Sequence, residues 1–269
     1  MSMSKGYDLP IKEYLRLDLS EMEVGDRIFI PMKLNGSDSF TMMGFNLLGI
    51  NCNPTPENYV RSTPLEYREK VVGVYEDGVA MNYIDIMSAF VLGSDILDNY
   101  VYDEQTEKFT RWDRSTLYHK LQELKQCLPE ELQERLIGRM ERKLVHFSKL
   151  TGDVSELYDT IDIGEIWIPS VTEIYGEPFY SDDDRDMQYK KKYPYFDLNT
   201  PLMETKEASD RHFNPRSYWT RSALFLSKDQ QYVIDEDGAL VIRNRTNGLN
   251  TVMCMRIRVG DHTPLEKPI

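Results

Sequence analysis

The clearest pattern in the chain is near its end. From 251 to 259, Met253, Met255, Ile257 and Val259 alternate with Cys254, Arg256 and Arg258. A period of two is that of a β-strand. Shorter apolar runs predict further strands at 27–32, 45–50, 166–168, 218–220 and 232–234, the first after a Gly25-Asp26 turn. Asp237-Gly238 turns the last of these back into 239–243. Glu76-Asp77-Gly78 lies between apolar runs at 71–75 and 79–81, the arrangement of a β-hairpin.

Helical spacing rules the middle. Leu117, Leu121 and Leu124 share a face of a helix predicted over 115–126. Pro129, followed by Glu130 and Glu131, opens a second, whose stripe is Leu132, Leu136, Met140, Leu144 and Phe147. A short helix over 84–92 is expected to end at Gly93. Ser170-Val171-Thr172-Glu173 is a capping box, and Gly176 stands where a C-terminal glycine cap would. Residues 1–21 read as an extended arm with a turn of helix at 11–17; 261–269 read as a tail. Residues 51–68 carry Pro54, Pro56 and Pro64 and read as loop. A long polar loop over 177–217 contains Asp182-Asp183-Asp184 and Lys190-Lys191-Lys192. The expectation is one α+β domain over 22–260.

Composition narrows the chemistry. A net charge of −13 over 269 residues disfavours nucleic acid as a partner. Three cysteines without a C-x-x-C pair read as small core hydrophobes. No run of 18 apolar residues would span a membrane. The polar start predicts cytoplasmic synthesis without a secretory signal. Four scattered histidines and no H-E-x-x-H give no zinc site, and 181–186 lacks the alternating spacing of a calcium loop. With no G-x-S-x-G, phosphate loop or dinucleotide fingerprint, the expectation is no enzyme and no cofactor. Seventeen tyrosines suit a surface that binds through rings. Trp219-Thr220-Arg221-Ser222 admits two readings. In one, Trp219 fills the core and Arg221 pairs with a buried carboxylate. In the other, Trp219, Arg221, Tyr232 and Arg256 face an acidic or sugar ligand.

Several segments resemble an uncharacterised domain family, domain of unknown function 6273, found in gut bacteria and their phages. They are Val24-Gly25-Asp26, Trp112-Asp113-Arg114-Ser115-Thr116-Leu117, Leu128-Pro129-Glu130-Glu131 and Ile166-Trp167-Ile168-Pro169-Ser170. The most specific piece is Tyr218-Trp219-Thr220-Arg221-Ser222, then Tyr232-Val233, then Asp237-Gly238. The family's closing V-R-P-x-F is replaced here by Val252-Met253-Cys254-Met255-Arg256. The resemblance implies a C-type-lectin-like fold shared with formylglycine-generating enzymes: a twisted antiparallel sheet, two flanking helices and long loops. It carries neither chemistry over. Cys254 has no companion for a copper pair, and the calcium-lectin motifs E-P-N, Q-P-D and W-N-D are absent. The functional expectation is a binding module of a phage virion, a capsid decoration or tail-associated protein. Loops 177–217 and 243–250 would meet other virion or host-surface proteins, or a glycan. A cytoplasmic ligand-sensing protein is the alternative, and an unadvertised enzyme the third reading.

Overall fold

The computed structural model of the chain describes residues 8–33, 39–51, 75–76, 79–80, 82–95, 112–144, 158–176, 192–198, 216–223 and 230–260. Fifteen short strands and a few helices are found among the described residues, an α+β architecture. One sheet has the order β1-β2-β3-β6-β15-β10. Its strands are β1 (Asp8–Pro10), β2 (Arg27–Met32), β3 (Thr41–Ile50), β6 (Tyr83–Ser88), β15 (Cys254–Arg258) and β10 (Ile166–Trp167). The second sheet has the order β13-β12-β11-β14-β7. It consists of β13 (Leu240–Asn244), β12 (Gln230–Ile234), β11 (Tyr218–Ala223), β14 (Leu249–Thr251) and β7 (Gly93–Asp95). Two hairpins stand apart: β4 (Tyr75–Glu76) with β5 (Val79–Ala80), and β8 (Arg139–Leu144) with β9 (Tyr158–Gly164). Both sheets are mixed, because β1 runs parallel to β2 and β14 parallel to β11.

The helices are short. They are α1 (Ile11–Tyr14), α2 (Thr116–Glu123), α3 (Glu130–Gln133), α4 (Val171–Tyr175) and α5 (Tyr195–Leu198). Ser115 caps α2 by accepting the Tyr118 amide, and Leu117 and Leu121 turn inward. The α4 capping box is complete, and Gly176 ends the helix in the left-handed region at φ 81°. One apolar cluster joins the sheets: Ile28, Phe45, Ile86, Trp167, Trp219, Val233 and Ile257 all belong to it.

The strands expected at 27–32, 166–168, 218–220 and 232–234 are present, as is the last strand. The hairpin at 75–80 forms; its turn residues lie outside the described residues. Three expectations are corrected. Residues 84–92 do not form a helix: Tyr83–Ser88 is the strand between β3 and β15. It is buried on both faces, so it shows no alternation, and a short apolar run fits a buried strand as well as a helix. The helix opened by Pro129 stops after one turn, and Arg139–Leu144 is a strand. Gly138 stands at the break, a poor residue for a helix interior. The arm has its expected turn of helix, α1, but is not free-standing: β1 extends the sheet, and Ile11 and Tyr14 are core residues. The Tyr14 hydroxyl donates to Asp26 Oδ2 at 2.7 Å.

The long loop is also not polar throughout. Tyr193 and Phe196 are buried, and α5 lies among its residues. The Tyr193 amide donates to the Glu173 carbonyl at 2.9 Å. The acidic run, most of the basic run and the tail at 261–269 lie outside the described residues.

Candidate functional site: a buried charge network

β15 lies between β6 and β10, and the face carrying Arg256 is as deep in the protein as the face carrying Met255 and Ile257. In that register Arg256 is opposite Asp85. The pairing is bidentate, Nε to Oδ1 and Nη2 to Oδ2, each at 2.7 Å. The Arg256 guanidinium also stacks 4.1 Å from the centre of the Tyr83 ring. Burial works against its charge, but Asp85 outweighs burial and raises its pKa above the usual range.

From Asp85 the network continues. The Tyr193 hydroxyl donates to Asp85 Oδ2 at 3.0 Å and accepts from Arg139 Nη1 at 3.1 Å. Arg139 stacks 4.7 Å from the Trp167 ring centre and donates Nη2 to Glu173 Oε1 at 2.8 Å. Arg221 grips the same carboxylate in a fork, Nη2 to Oε1 at 2.8 Å and Nη1 to Oε2. Glu173 Oε2 also accepts the Ser170 amide at 2.9 Å, closing the capping box. A carboxylate with four such donors holds its proton badly. Burial raises its pKa, Arg221 and Arg139 lower it further than burial raises it, and the balance lies well below the usual range. The backbone is zipped alongside: Arg221 N donates to Pro169 O at 3.1 Å, and Val171 N to Ser222 Oγ at 2.9 Å.

The four residues singled out as ligand contacts are all inside. Trp219 is fully buried and donates Nε1 to the Asp95 carbonyl at 2.9 Å. Tyr232 is buried, and its carbonyl accepts from Thr220 Oγ1 at 2.7 Å. Arg221 and Arg256 are 3% and 1% exposed, and their guanidinium groups face carboxylates of the protein itself. The structure thus has the first of the two arrangements considered for Trp219-Thr220-Arg221-Ser222. It brings Arg221 and Arg256 into one network and leaves Trp219 and Tyr232 beside it.

Asp85, Arg139 and Tyr193 were missed by reading the sequence. Asp85 had a signal, a lone carboxylate inside an apolar strand, which demands a buried cation. Tyr193 had none, because it follows a run of lysines in a polar stretch. No group of three or more His, Cys, Asp or Glu able to hold a metal occurs among the described residues. Burial raises the pKa of the Cys254 thiol, which disfavours the thiolate that reacts or binds metal.

Residues 86–259 match the family model described as domain of unknown function (DUF6273), more than half of the chain. The chain belongs to the DUF6273 family. The matched span contains Arg139, Glu173, Tyr193, Arg221 and Arg256, and begins one residue after Asp85. No curated protein and no solved structure matches the chain. Among the described residues no helix of this DUF6273 protein is long and apolar enough to cross a membrane.

Proposed function

We propose that this DUF6273 chain is a non-catalytic binding module, a phage virion component built on a C-type-lectin-like scaffold. The scaffold holds surface loops for attachment to a protein or a glycan. One observation carries the reading: Arg221 of the family motif, with Glu173 and Arg256 outside it, is consumed in holding the fold. Arg221 donates to Glu173, which also accepts the Ser170 amide, and Arg256 donates to Asp85, all inside the protein. A Cβ placed on Gly176 would lie 3.1 Å from the Lys192 Cβ, so the excursion over 177–191 starts and ends at one point. Loops carried by a fixed scaffold are the usual place for binding residues.

Mass spectrometry of purified particles and of the soluble cell fraction tests the reading. Presence in intact particles at a fixed ratio to the major capsid protein is the expected result. Presence only in the soluble fraction overturns the virion role and favours a ligand-sensing protein instead.

A further inference from the structure

Among the described residues three large apolar side chains stand in solvent: Phe40, Met42 and Ile242, 53%, 47% and 41% exposed. Phe40 and Met42 lie two residues apart, on one face. The β2–β3 register puts Pro31 opposite Met42 and Phe29 opposite Gly44. Ile28, Ile30 and Met32 are fully buried, so Arg27, Phe29 and Pro31 belong to the outward face. Gly44 has no side chain there, and the Phe29 and Phe90 rings pack over it, 3.6 Å from where a Cβ would be. Two cations edge this face. Lys33 Nζ lies 5.1 Å from the Phe40 ring centre, and the Arg27 guanidinium 5.9 Å from that of Phe90. The result is an apolar socket with basic margins on a chain of net charge −13.

Ile242 has the opposite setting. It lies on β13, an edge of the five-stranded sheet, on the same hairpin as the exposed Glu236 and Asp237 of the turn. That turn is stiff, because Asp235 Oδ1 accepts the amides of Asp237 and Ala239 at 3.0 and 2.8 Å. Ile242 is on β13 and Asp237 is in the turn that precedes it, so one hairpin carries both. The Arg27 guanidinium, over Phe90 beside Gly44, is on the same face as Met42. The hairpin offers an exposed apolar side chain with carboxylates, and the β2–β3 face offers exposed apolar side chains with cations, so the two are complementary in charge.

We infer that the socket on β2–β3 takes the β12–β13 hairpin of a second copy of this chain. Ile242 seats against Phe40 and Met42, while Glu236 and Asp237 meet the basic margin at Arg27. Lys33 adds attraction from the other side. Arg243, exposed beside Ile242, stays at the rim. The two surfaces differ, so the contact is head-to-tail, and repetition closes a ring or extends a filament. The inference stands whether the protein is in a virion or in a cytoplasm.

The test is sedimentation of the full chain from micromolar to submillimolar concentration, in physiological salt that screens the net repulsion. Wild type is expected to self-associate. Met42→Asp and Ile242→Asp are each expected to weaken association at least ~10-fold, as loss of a central anchor does. Mixed together, the two variants are expected to form a one-to-one heterodimer that grows no further, since one keeps the hairpin and the other the socket. A wild type that stays monomeric overturns the inference. So does association that survives Ile242→Asp, or a mixture of variants that forms no heterodimer. Should either variant lose its melting transition, Lys33→Glu and Asp237→Lys at exposed positions take their places, with the same outcomes.

Discussion

Glu173 is the residue on which most depends. Replacing it with alanine leaves Arg139 and Arg221 buried without their shared carboxylate, and stability should fall by about 3–5 kcal/mol. Urea unfolding followed by circular dichroism measures this. Arg221→Ala should cost a similar amount, since it leaves Glu173 buried with one partner fewer; a change too small to detect would argue for a surface role. The pH dependence has a definite sign. The Glu173 pKa is lowered on folding, so the unfolded chain binds the proton more tightly. Its contribution is full above the ordinary carboxylate value of about 4.3 and is lost as pH falls below it. Glu173→Gln should flatten this part of the stability curve, measured as melting temperature against pH. At the alkaline end, burial raises the Tyr193 and Tyr218 pKa values. Stability from their neutral phenols is present below pH of about 10 and is lost above it. Of these residues Arg221 was legible in the sequence, as a cation expected to find a buried carboxylate. The partner could not be named, because Glu173 stands 48 residues away and only the fold joins them.

At the scale of elements, local signals succeeded where the cause is local. The α4 helix is set by Ser170, Glu173 and Gly176 within seven positions, and all three do what the pattern implies. Gly176→Ala should cost about 1 kcal/mol or more, from the left-handed backbone and the crowding of Lys192. Gly164→Ala should be worse: at φ +91°, its Cβ would come within 2.8 Å of three Gln122 side-chain atoms. Those atoms matter, since Gln122 Nε2 donates to Ile166 O at 2.6 Å and Oε1 accepts the Glu165 amide at 3.0 Å. Thermal melts of both variants rank the two sites. Elements fixed by distant partners were not legible. Tyr83–Ser88 is a strand because β3 and β15 lie on either side of it. The run Met140 to Leu144 has helical spacing but is paired with β9. Tertiary pairing overrode periodicity in both.

For the whole molecule, the α+β class was visible in short strands mixed with short helices, while the division into two mixed sheets was not. Parallel contacts such as β1–β2 and β11–β14 join segments whose sequences carry no mark of each other. The same network that hid from the sequence makes a global prediction. The residues at both ends of the 177–191 excursion are fixed, one by the Gly176 cap and one by Tyr193. Replacing 177–191 with a short Gly-Ser linker should therefore leave the melting temperature within a few degrees of wild type. Differential scanning calorimetry decides it, and a large drop would mean that the excursion is part of the cooperative core.

β15 occupies the interior of its sheet, between β6 and β10, and follows both of them in the chain. Until residues 254–258 leave the ribosome, Asp85 has no Arg256, and β6 has an open edge where β15 will pair. The nascent chain therefore waits, with a carboxylate lacking its cation and an unpaired strand, until residue 258 has emerged. A stop codon a few residues before β15 should therefore yield an insoluble product rather than a shortened working protein.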